Sequence, residues 1–213
     1  MSIKRILLAT GNAKKAKELK DILGPEFDVT TLAEADLSTI EIIEDAPTFE
    51  GNAHIKVETI RRVLSDRGHL DAYFGILGDD SGISVDILNG DPGVRSARFA
   101  FDHQAGDGDE ANNRLLLEKL ADVPSEKRTA SFTCALCLYL IQNDQWFNRH
   151  GYVHGVIAMQ ARGENGFGYD PLFIPNAYPK QHMAELQDHE KHAISHRGMA
   201  LKAIADILRQ GAS

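Results

Sequence analysis

Strand-like segments and segments with apolar residues at helical spacing alternate along the first part of the chain. The short apolar run Lys4–Ala9 predicts a strand, and Glu26–Leu32 is a second strand-like segment. The segments Lys14–Leu23 and Pro47–Leu64 carry apolar residues at helical spacing and predict helices. Strands that alternate with helices in this way predict an α/β fold.

A long hairpin follows in the second half of the chain. Arg128–Ile141 and Gln145–Ala158 are strand-like segments separated by the polar turn Gln142–Asp144. Because a hairpin adds antiparallel neighbours to strands that alternate with helices, we expect a mixed sheet with flanking helices. The 213 residues suffice for one folding unit over residues 1–213, either one substantial domain or two small lobes that share a cleft.

An acidic stretch rich in glycine lies near the middle of the chain. Tyr73–Leu77 is strand-like and runs into Gly78–Gly82, after which Ile83–Leu88 alternates again. We therefore expect this stretch in a strand region that glycine interrupts. Later helices are expected at Asp107–Leu120 and Ser195–Leu208.

The charge balance limits the partners of the chain. It has 23 Lys and Arg against 31 Asp and Glu, a net charge of −8 with His neutral, so its average surface repels a phosphate backbone. The longest apolar stretch, Cys134–Ile141, falls well short of the roughly 20 residues of a transmembrane helix, and no signal-peptide core is present. We expect a cytoplasmic protein that binds neither a nucleic acid polymer nor a membrane.

The two cysteines, Cys134 and Cys137, have the C-x-x-C spacing of redox and zinc sites. They lie in a predicted strand, where residues three apart point to opposite faces, and a second cysteine pair for a structural zinc site is missing. We interpret both as core residues.

The first candidate site is the turn that ends the first strand. Thr10, Gly11, Asn12, Ala13, Lys14 and Lys15 place a glycine turn and two lysines at a helix start. Such a helix start holds phosphate through backbone N–H groups and cationic side chains. The simpler alternative is an ordinary helix capped by asparagine.

The second candidate is the carboxylate pair Asp79 and Asp80. Burying both carboxylates is costly, which favours a cation or a functional water as partner. Oxygen ligands of this kind suit Mg²⁺ together with the phosphates of a substrate, and Glu41, Glu44 and Asp45 supply further carboxylates upstream. The alternative is a solvated acidic turn.

Two later segments complete the candidates. The glycine-rich loop Gly163–Asp170 carries Phe167 and Tyr169, either of which is able to stack on a nucleobase, although core aromatics are the alternative. Lys191–Arg197 is a cationic cluster at a predicted helix start, with Ser195 as its cap. Two cationic clusters and a carboxylate pair are what a polyphosphate with Mg²⁺ requires.

Six segments in this order resemble one family, the inosine triphosphate pyrophosphatases. The matching segments span nearly the whole chain and are Thr10–Asn12 with Lys15, Thr48–Ala53 with Lys56, Asp79–Gly82, Pro92–Arg98, Gly166–Pro171 and Ser195–Gly198. The resemblance implies a Mg²⁺-dependent homodimer that splits ITP, dITP and XTP into the monophosphate and pyrophosphate. It also implies an elongated fold of two lobes around a long mixed sheet, with the nucleotide in a cleft between the lobes.

The resemblance also implies a role for each matching residue. Asp80 is similar to the catalytic proton acceptor and Mg²⁺ ligand, and Glu44 to the upstream metal carboxylate, although Glu41 is an alternative. Ser81 resembles a substrate contact, and Lys56 resembles a phosphate contact beside the triphosphate-binding turn of residues 10–15. The base-recognition set implied by the family is Phe167, Gly168, Tyr169, Asp170, Lys191, His196 and Arg197.

Other functions remain open at the level of sequence. One is a related pyrophosphatase of the Maf-like kind that acts on modified pyrimidine or 7-methylguanine nucleotides. Another is a sensor that binds a triphosphate without cleaving it. The glycine-rich acidic segment Gln104–Asp109 receives no role from either the pattern or the resemblance.

Overall fold

A computed structural model describes residues 4–210 of the chain, apart from the side chains of Glu18, Asp188 and His192. The strands are β1 (Lys4–Leu8), β2 (Phe27–Thr31), β3 (Gly75–Val85), β4 (Thr129–Leu140), β5 (Gln145–Ile157) and β6 (Phe173–Pro175). The helices are α1 (Ala13–Leu23), α2 (Phe49–Asp66), α3 (Phe99–Asp102), α4 (Gly108–Lys119), α5 (Asp188–Ile194) and α6 (His196–Gln210). Within residues 4–210, every helix is too short or too polar to cross a membrane.

The six strands form one sheet in the order β2-β1-β3-β4-β5-β6. Strand β1 is parallel to both β2 and β3, whereas β6 is antiparallel to β5. Helix α1 connects the parallel neighbours β1 and β2, and α2 lies between β2 and β3 in the chain. The predicted mixed sheet with flanking helices is confirmed.

The described residues divide into two compact units. The first contains residues 4–80, 134–150 and 197–210, and the second contains residues 81–133 and 151–196. In the first unit, Ile6 packs with Leu19 of α1 and Leu201 of α6, whereas the next residue, Leu7, packs with Val57 of α2. Successive strand residues point to opposite faces, so the apolar run of β1 is buried on both sides.

The second unit has its own core. Phe132 of β4 packs edge-on against Phe173 of β6, with ring centroids 4.8 Å apart. Phe99 of α3 and Leu116 of α4 are buried in the same cluster. This core supports the glycine-rich loop that follows β5.

Two local predictions were wrong. Strand β3 continues through Gly78–Gly82 without a break, because Gly78 serves a close approach: a Cβ at this position would collide with the backbone of Ala53 in α2. Helix α5 was not predicted, and Lys191 lies within it rather than at the start of the last helix. Helix α5 spans 7 residues with little apolar periodicity, so its sequence carries a weak helical signal.

The two cysteines are free, buried and separated by the sheet. Cys134 belongs to the cluster that contains Ile6, and Cys137 to the cluster that contains Leu7. Burial raises the pKa of the Cys137 thiol to about 12 and that of Cys134 well above its usual range. The interpretation of both cysteines as core residues is confirmed.

Because only the thiolate reacts readily, we expect both thiols to be inert in the folded protein. A disulfide reagent at about pH 8 should label neither cysteine within minutes, and both cysteines should react once the chain is unfolded in guanidinium. The control is the same assay on Cys134→Ala, in which one cysteine rather than two should be labelled after unfolding. Rapid labelling of either native thiol would contradict the burial.

Candidate active site

The turn between β1 and α1 forms as predicted, with Asn12 as the cap of the helix. The Asn12 side-chain oxygen accepts the backbone N–H groups of Lys14 at 3.0 Å and Lys15 at 3.1 Å. The Asn12 N–H in turn donates to Thr10 Oγ1 at 3.2 Å. The structure therefore contains the Asn-capped helix of the simpler interpretation. Phosphate contacts remain predictions for Thr10, Gly11, Asn12, Ala13 and Lys14.

Asp79 is a fully buried carboxylate held by two cations. Lys15 Nζ lies 2.6 Å from its Oδ1, and Arg197 Nε lies 3.0 Å from its Oδ2. The Cys134 thiol donates to the same Oδ2 at 3.2 Å. Burial alone would raise the pKa of Asp79, but the charges of Arg197 and Lys15 outweigh it and hold the pKa well below its usual range.

Asp80 points to the other face of β3, toward α2. Lys56 Nζ lies 3.1 Å from its Oδ1, and Asn52 Nδ2 donates to its Oδ2 at 3.2 Å. Burial and the negative charge of Glu44 raise the pKa of Asp80, against the opposing charges of Lys56 and Lys15. The two adjacent carboxylates therefore have opposite shifts: the pKa of Asp79 is lowered and the pKa of Asp80 is raised.

Lys56 joins the carboxylates of this region. Its ammonium contacts Glu44 Oε2 at 2.8 Å, Asp80 Oδ1 at 3.1 Å and the Asp79 carbonyl at 2.9 Å. These contacts match the three N–H groups of a lysine. Glu44 is half-buried beside Lys56, whereas Glu41 is exposed, so the geometry favours Glu44 as the upstream carboxylate. The predicted contact of Lys56 with phosphate stays a prediction.

Asn52 is a site residue to which the sequence assigned no role. It is fully buried, donates to Asp80 Oδ2, and accepts the Ala46 N–H at 3.0 Å with its own side-chain oxygen. It thereby ties the segment that carries Glu44 to Asp80. Asn52 lies one turn before Lys56 on the same helix, but its burial is a property of the fold, so the sequence offered no signal for this role.

The structure gives the surroundings of two further predicted residues. Arg197 was placed in the base-recognition set, but the described side chain is buried against Asp79 in the first unit, which favours a role in holding that carboxylate. Ser81 follows Asp80 on β3 and is half-buried. Contacts of both residues with substrate remain predictions.

The second unit organises the glycine-rich loop around Asp170. Its Oδ2 accepts the Phe167 N–H at 3.0 Å and the Lys191 ammonium at 2.8 Å. The Lys191 ammonium also lies 5.1 Å from the centre of the Phe167 ring. Asp170 is only 4% exposed, so the structure assigns it to the loop framework, while Phe167 stays half-exposed.

Tyr169 and His196 are both fixed by the core of this unit. Tyr169 is buried and donates its hydroxyl to the Ser96 carbonyl at 2.9 Å, so the core-aromatic interpretation applies to it and Phe167 is the ring left for stacking. His196 stacks on Phe132, with ring centroids 5.1 Å apart and planes within 5°. Contacts of Phe167, Lys191 and His196 with a base remain predictions.

Gly166 is required by the loop geometry, and replacing it with alanine should damage the loop. Its φ of +82° costs about 1–2 kcal/mol for an L side chain, and a Cβ would collide with the Asp170 carboxylate and the Lys191 ammonium. Gly166→Ala should therefore lower the free energy of unfolding by more than about 2 kcal/mol in urea titration.

Gly168→Ala is the matched control for this prediction. Gly168 also has positive φ, at +63°, but a Cβ there would meet open space. Gly168→Ala should therefore lower the free energy of unfolding by only about 1–2 kcal/mol, which is what a positive φ costs an L residue. Equal losses for the two variants would contradict the proposed collision.

The fold and the paired carboxylates place the chain first in a structural class and then in a family. The chain is an α/β protein whose mixed sheet carries two adjacent buried carboxylates on an inner strand, one held by two cations and the other by one. Within that class, the chain belongs to the Ham1 family, whose model matches residues 6–207.

Relatives and solved structures agree with this membership. A protein of Exiguobacterium sibiricum named dITP/XTP pyrophosphatase is 46% identical over 208 residues, covering 96% of each chain. One of Clostridium perfringens with the same name is 40% identical, covering 97% of this chain and 98% of the relative. The structure of a HAM1 protein from Coxiella burnetii superposes with a TM-score of 0.82 at 34% identity, covering 98% of this chain and 100% of that chain.

Proposed function

We propose that the protein is a Mg²⁺-dependent pyrophosphatase that hydrolyses ITP, dITP and XTP to the monophosphate and pyrophosphate. This reaction would remove deaminated purines from the nucleotide pool. Membership of the Ham1 family and relatives named dITP/XTP pyrophosphatase support the proposal. The observation that carries it is Asp80, a buried carboxylate held by Lys56 and Asn52 beside Glu44.

Asp80 is suited to act on a water molecule. Each carboxylate oxygen has two acceptor sites, and Lys56 and Asn52 each occupy one, which leaves capacity for a water. We assign Asp80 the role of orienting this water and accepting its proton as it attacks phosphorus. Asn52 and Lys56 hold the carboxylate in one orientation, so less reorganisation is needed in the transition state.

The lysines are suited to stabilise the leaving pyrophosphate. Lys15 is only partly buried, and its contact with Asp79 uses one of three N–H groups. Its ammonium is therefore able to donate to a phosphate oxygen while it remains fixed by Asp79. The three N–H groups of Lys56 are already used by Glu44, Asp80 and the Asp79 carbonyl, so Lys56 would contribute its positive charge alone, which offsets the two carboxylates.

The donor set fits Mg²⁺. Glu44 and Asp80 contact the same lysine ammonium, so both carboxylates reach one region, and their oxygens are the hard ligands that Mg²⁺ takes. In the part of the chain that the structure describes, no three potential ligand side chains form a cluster, so phosphate oxygens and waters would complete the set. When bound, Mg²⁺ would supply neutralisation of phosphate charge.

Selection of the base rests on donors in the second unit. Hypoxanthine and xanthine present a 6-keto acceptor where adenine presents an amino donor. Lys191 and His196 would pair with the keto group, and adenine would leave buried donors unpaired at a cost of about 1–3 kcal/mol each. Phe167 would stack on the base, a contact worth about 1–3 kcal/mol.

The test is pyrophosphate release from ITP, dITP, XTP, dGTP, GTP and ATP by the purified protein, with Mg²⁺ and with a chelator. We expect Mg²⁺-dependent release from the first three and kcat/KM at least about thirtyfold lower for ATP, since two unpaired donors together cost at least about 2 kcal/mol. Comparable activity on all six nucleotides would contradict the base assignment. Binding of ITP without release of pyrophosphate would favour a sensor.

The proposal extends to the state of the protein in the cell. We propose a cytoplasmic homodimer that acts on free nucleotides and binds neither nucleic acid polymers nor membranes. The net negative charge of the chain supports the absence of binding to nucleic acid polymers and membranes. The resemblance to the family supports the dimer. Sedimentation equilibrium should give twice the mass of one chain, and the mass of a single chain would contradict the dimer.

A further inference from the structure

Helix α4 contacts the glycine-rich loop through two side chains on one face. The carboxylate of Asp109 accepts the Gly168 N–H at 2.8 Å, and the Asn113 amide donates to the Gly168 carbonyl at 2.9 Å. Asp109 and Asn113 are four residues apart in the helix, so they lie one turn apart on the same side. Together they hold both polar groups of a single backbone residue.

These two hydrogen bonds to Gly168 are separate from the contacts that pack the same helix into the core. The neighbouring Asn112 bonds elsewhere: its side chain accepts the Ala100 N–H at 2.7 Å and donates to the Ala97 carbonyl at 3.3 Å. Leu115 and Leu116 bury the helix in the core of the second unit. Helix α4 is therefore anchored without Asp109 and Asn113, whose described bonds reach the loop.

The held residue adjoins Phe167, the half-exposed ring. Asp170 fixes the Phe167 N–H on one side, and α4 fixes the Gly168 N–H and carbonyl on the other. The next residue, Tyr169, is anchored in the core through its hydroxyl. The backbone around Phe167 is thus held at successive points, which reduces the conformational freedom that the ring would lose on meeting a base.

We propose that Asp109 and Asn113 are positioning residues for base recognition. By hydrogen bonding to the N–H and carbonyl of Gly168, they preorganise Phe167 for stacking on the purine. This inference rests on the proposed function, because it assigns Phe167 to base recognition. It gives a role to the acidic end of the segment Gln104–Asp109, which the sequence pattern leaves without one. Neither side chain touches the substrate in this proposal.

The role predicts a loss confined to ligands that contain a base. Asp109→Ala and Asn113→Ala should each weaken binding of dIMP by about threefold to tenfold, the range for one lost hydrogen bond. Binding of inorganic triphosphate, which lacks a base, should stay within about twofold of the unaltered protein. In turnover of dITP the loss should appear in KM, with kcat nearly unchanged.

Two matched variants control for charge and folding. Glu110→Ala removes an exposed acid from the same first turn of α4 and should leave dIMP binding unchanged. Asp109→Asn removes the charge but keeps an oxygen able to accept the Gly168 N–H, so it should restore most of the binding that Asp109→Ala loses. Thermal unfolding of each variant shows whether the fold is intact.

The outcomes separate this inference from the proposed function. Calorimetric binding of dIMP and of inorganic triphosphate is measured together with turnover of dITP. Unchanged dIMP binding in both alanine variants, or equal weakening of dIMP and inorganic triphosphate, would overturn the positioning role even if dITP is hydrolysed. An unaltered protein that binds dIMP but does not hydrolyse dITP would overturn the proposed function, while selective weakening in the variants would still support the positioning role.

Discussion

Asp80→Asn should lower kcat/KM for dITP by about a thousandfold and leave the protein folded. The substitution keeps the shape of the side chain and removes the proton acceptor, and general-base catalysis contributes about 10²–10⁴ in rate. Burial raises the pKa of Asp80, so loss of the charge itself costs little. The new NH2 group must face either Lys56 or Asn52, both of which are donors, so the free energy of unfolding should fall by about 1–3 kcal/mol. Turnover and urea unfolding on the same preparation check both parts.

Glu41→Gln is the matched control for Asp80→Asn. It removes one negative charge from the acidic run that contains Glu44, but the Glu41 side chain is exposed. Its kcat/KM should stay within about twofold of the unaltered protein, since the charge is screened by solvent. An Asp80→Asn protein with turnover close to that of Glu41→Gln would show that another group activates the water.

Local periodicity was enough to predict most of the sheet. Strands β1, β2, β4 and β5 lie within two residues of their expected bounds, because turn residues bound each of these strand-like segments. Helix α5 was missed because its 7 residues are mostly polar and carry little of that signal. In β3, glycine was interpreted as a break, whereas at Gly78 it accommodates the approaching α2 backbone.

The contacts between the site residues were harder to predict from the sequence. Residue types and spacing singled out Asp79 and Asp80 as a pair, but not their separation onto two faces with opposite pKa shifts. Arg197 meets Asp79 across a separation of 118 residues, a contact set by how α6 packs on the sheet. Asn52 has no charge and no metal-ligand spacing, so only its contacts identify its role.

Asp79→Ala should destabilise the protein by about 3–5 kcal/mol. Removing one partner of a buried ion pair takes a compensating charge from the other, and here Arg197 is only 2% exposed. Lys15 would lose the same anchor, so activity should fall as well. A loss of this size is a large fraction of the roughly 5–15 kcal/mol that stabilises a typical domain. Urea unfolding followed by circular dichroism measures it.

The exposed pair of Asp28 and Arg5 is the control for Asp79→Ala. Their atoms are 2.8 Å apart, as close as those of the buried pair, but both side chains are about half exposed. Asp28→Ala should therefore cost less than about 1 kcal/mol. Adding Arg197→Met to Asp79→Ala should recover part of the lost stability, because the buried charge that Asp79 offsets disappears with it. If Asp79→Ala costs no more than Asp28→Ala, or if Arg197→Met makes the loss larger, the buried cations do not depend on Asp79 for compensation.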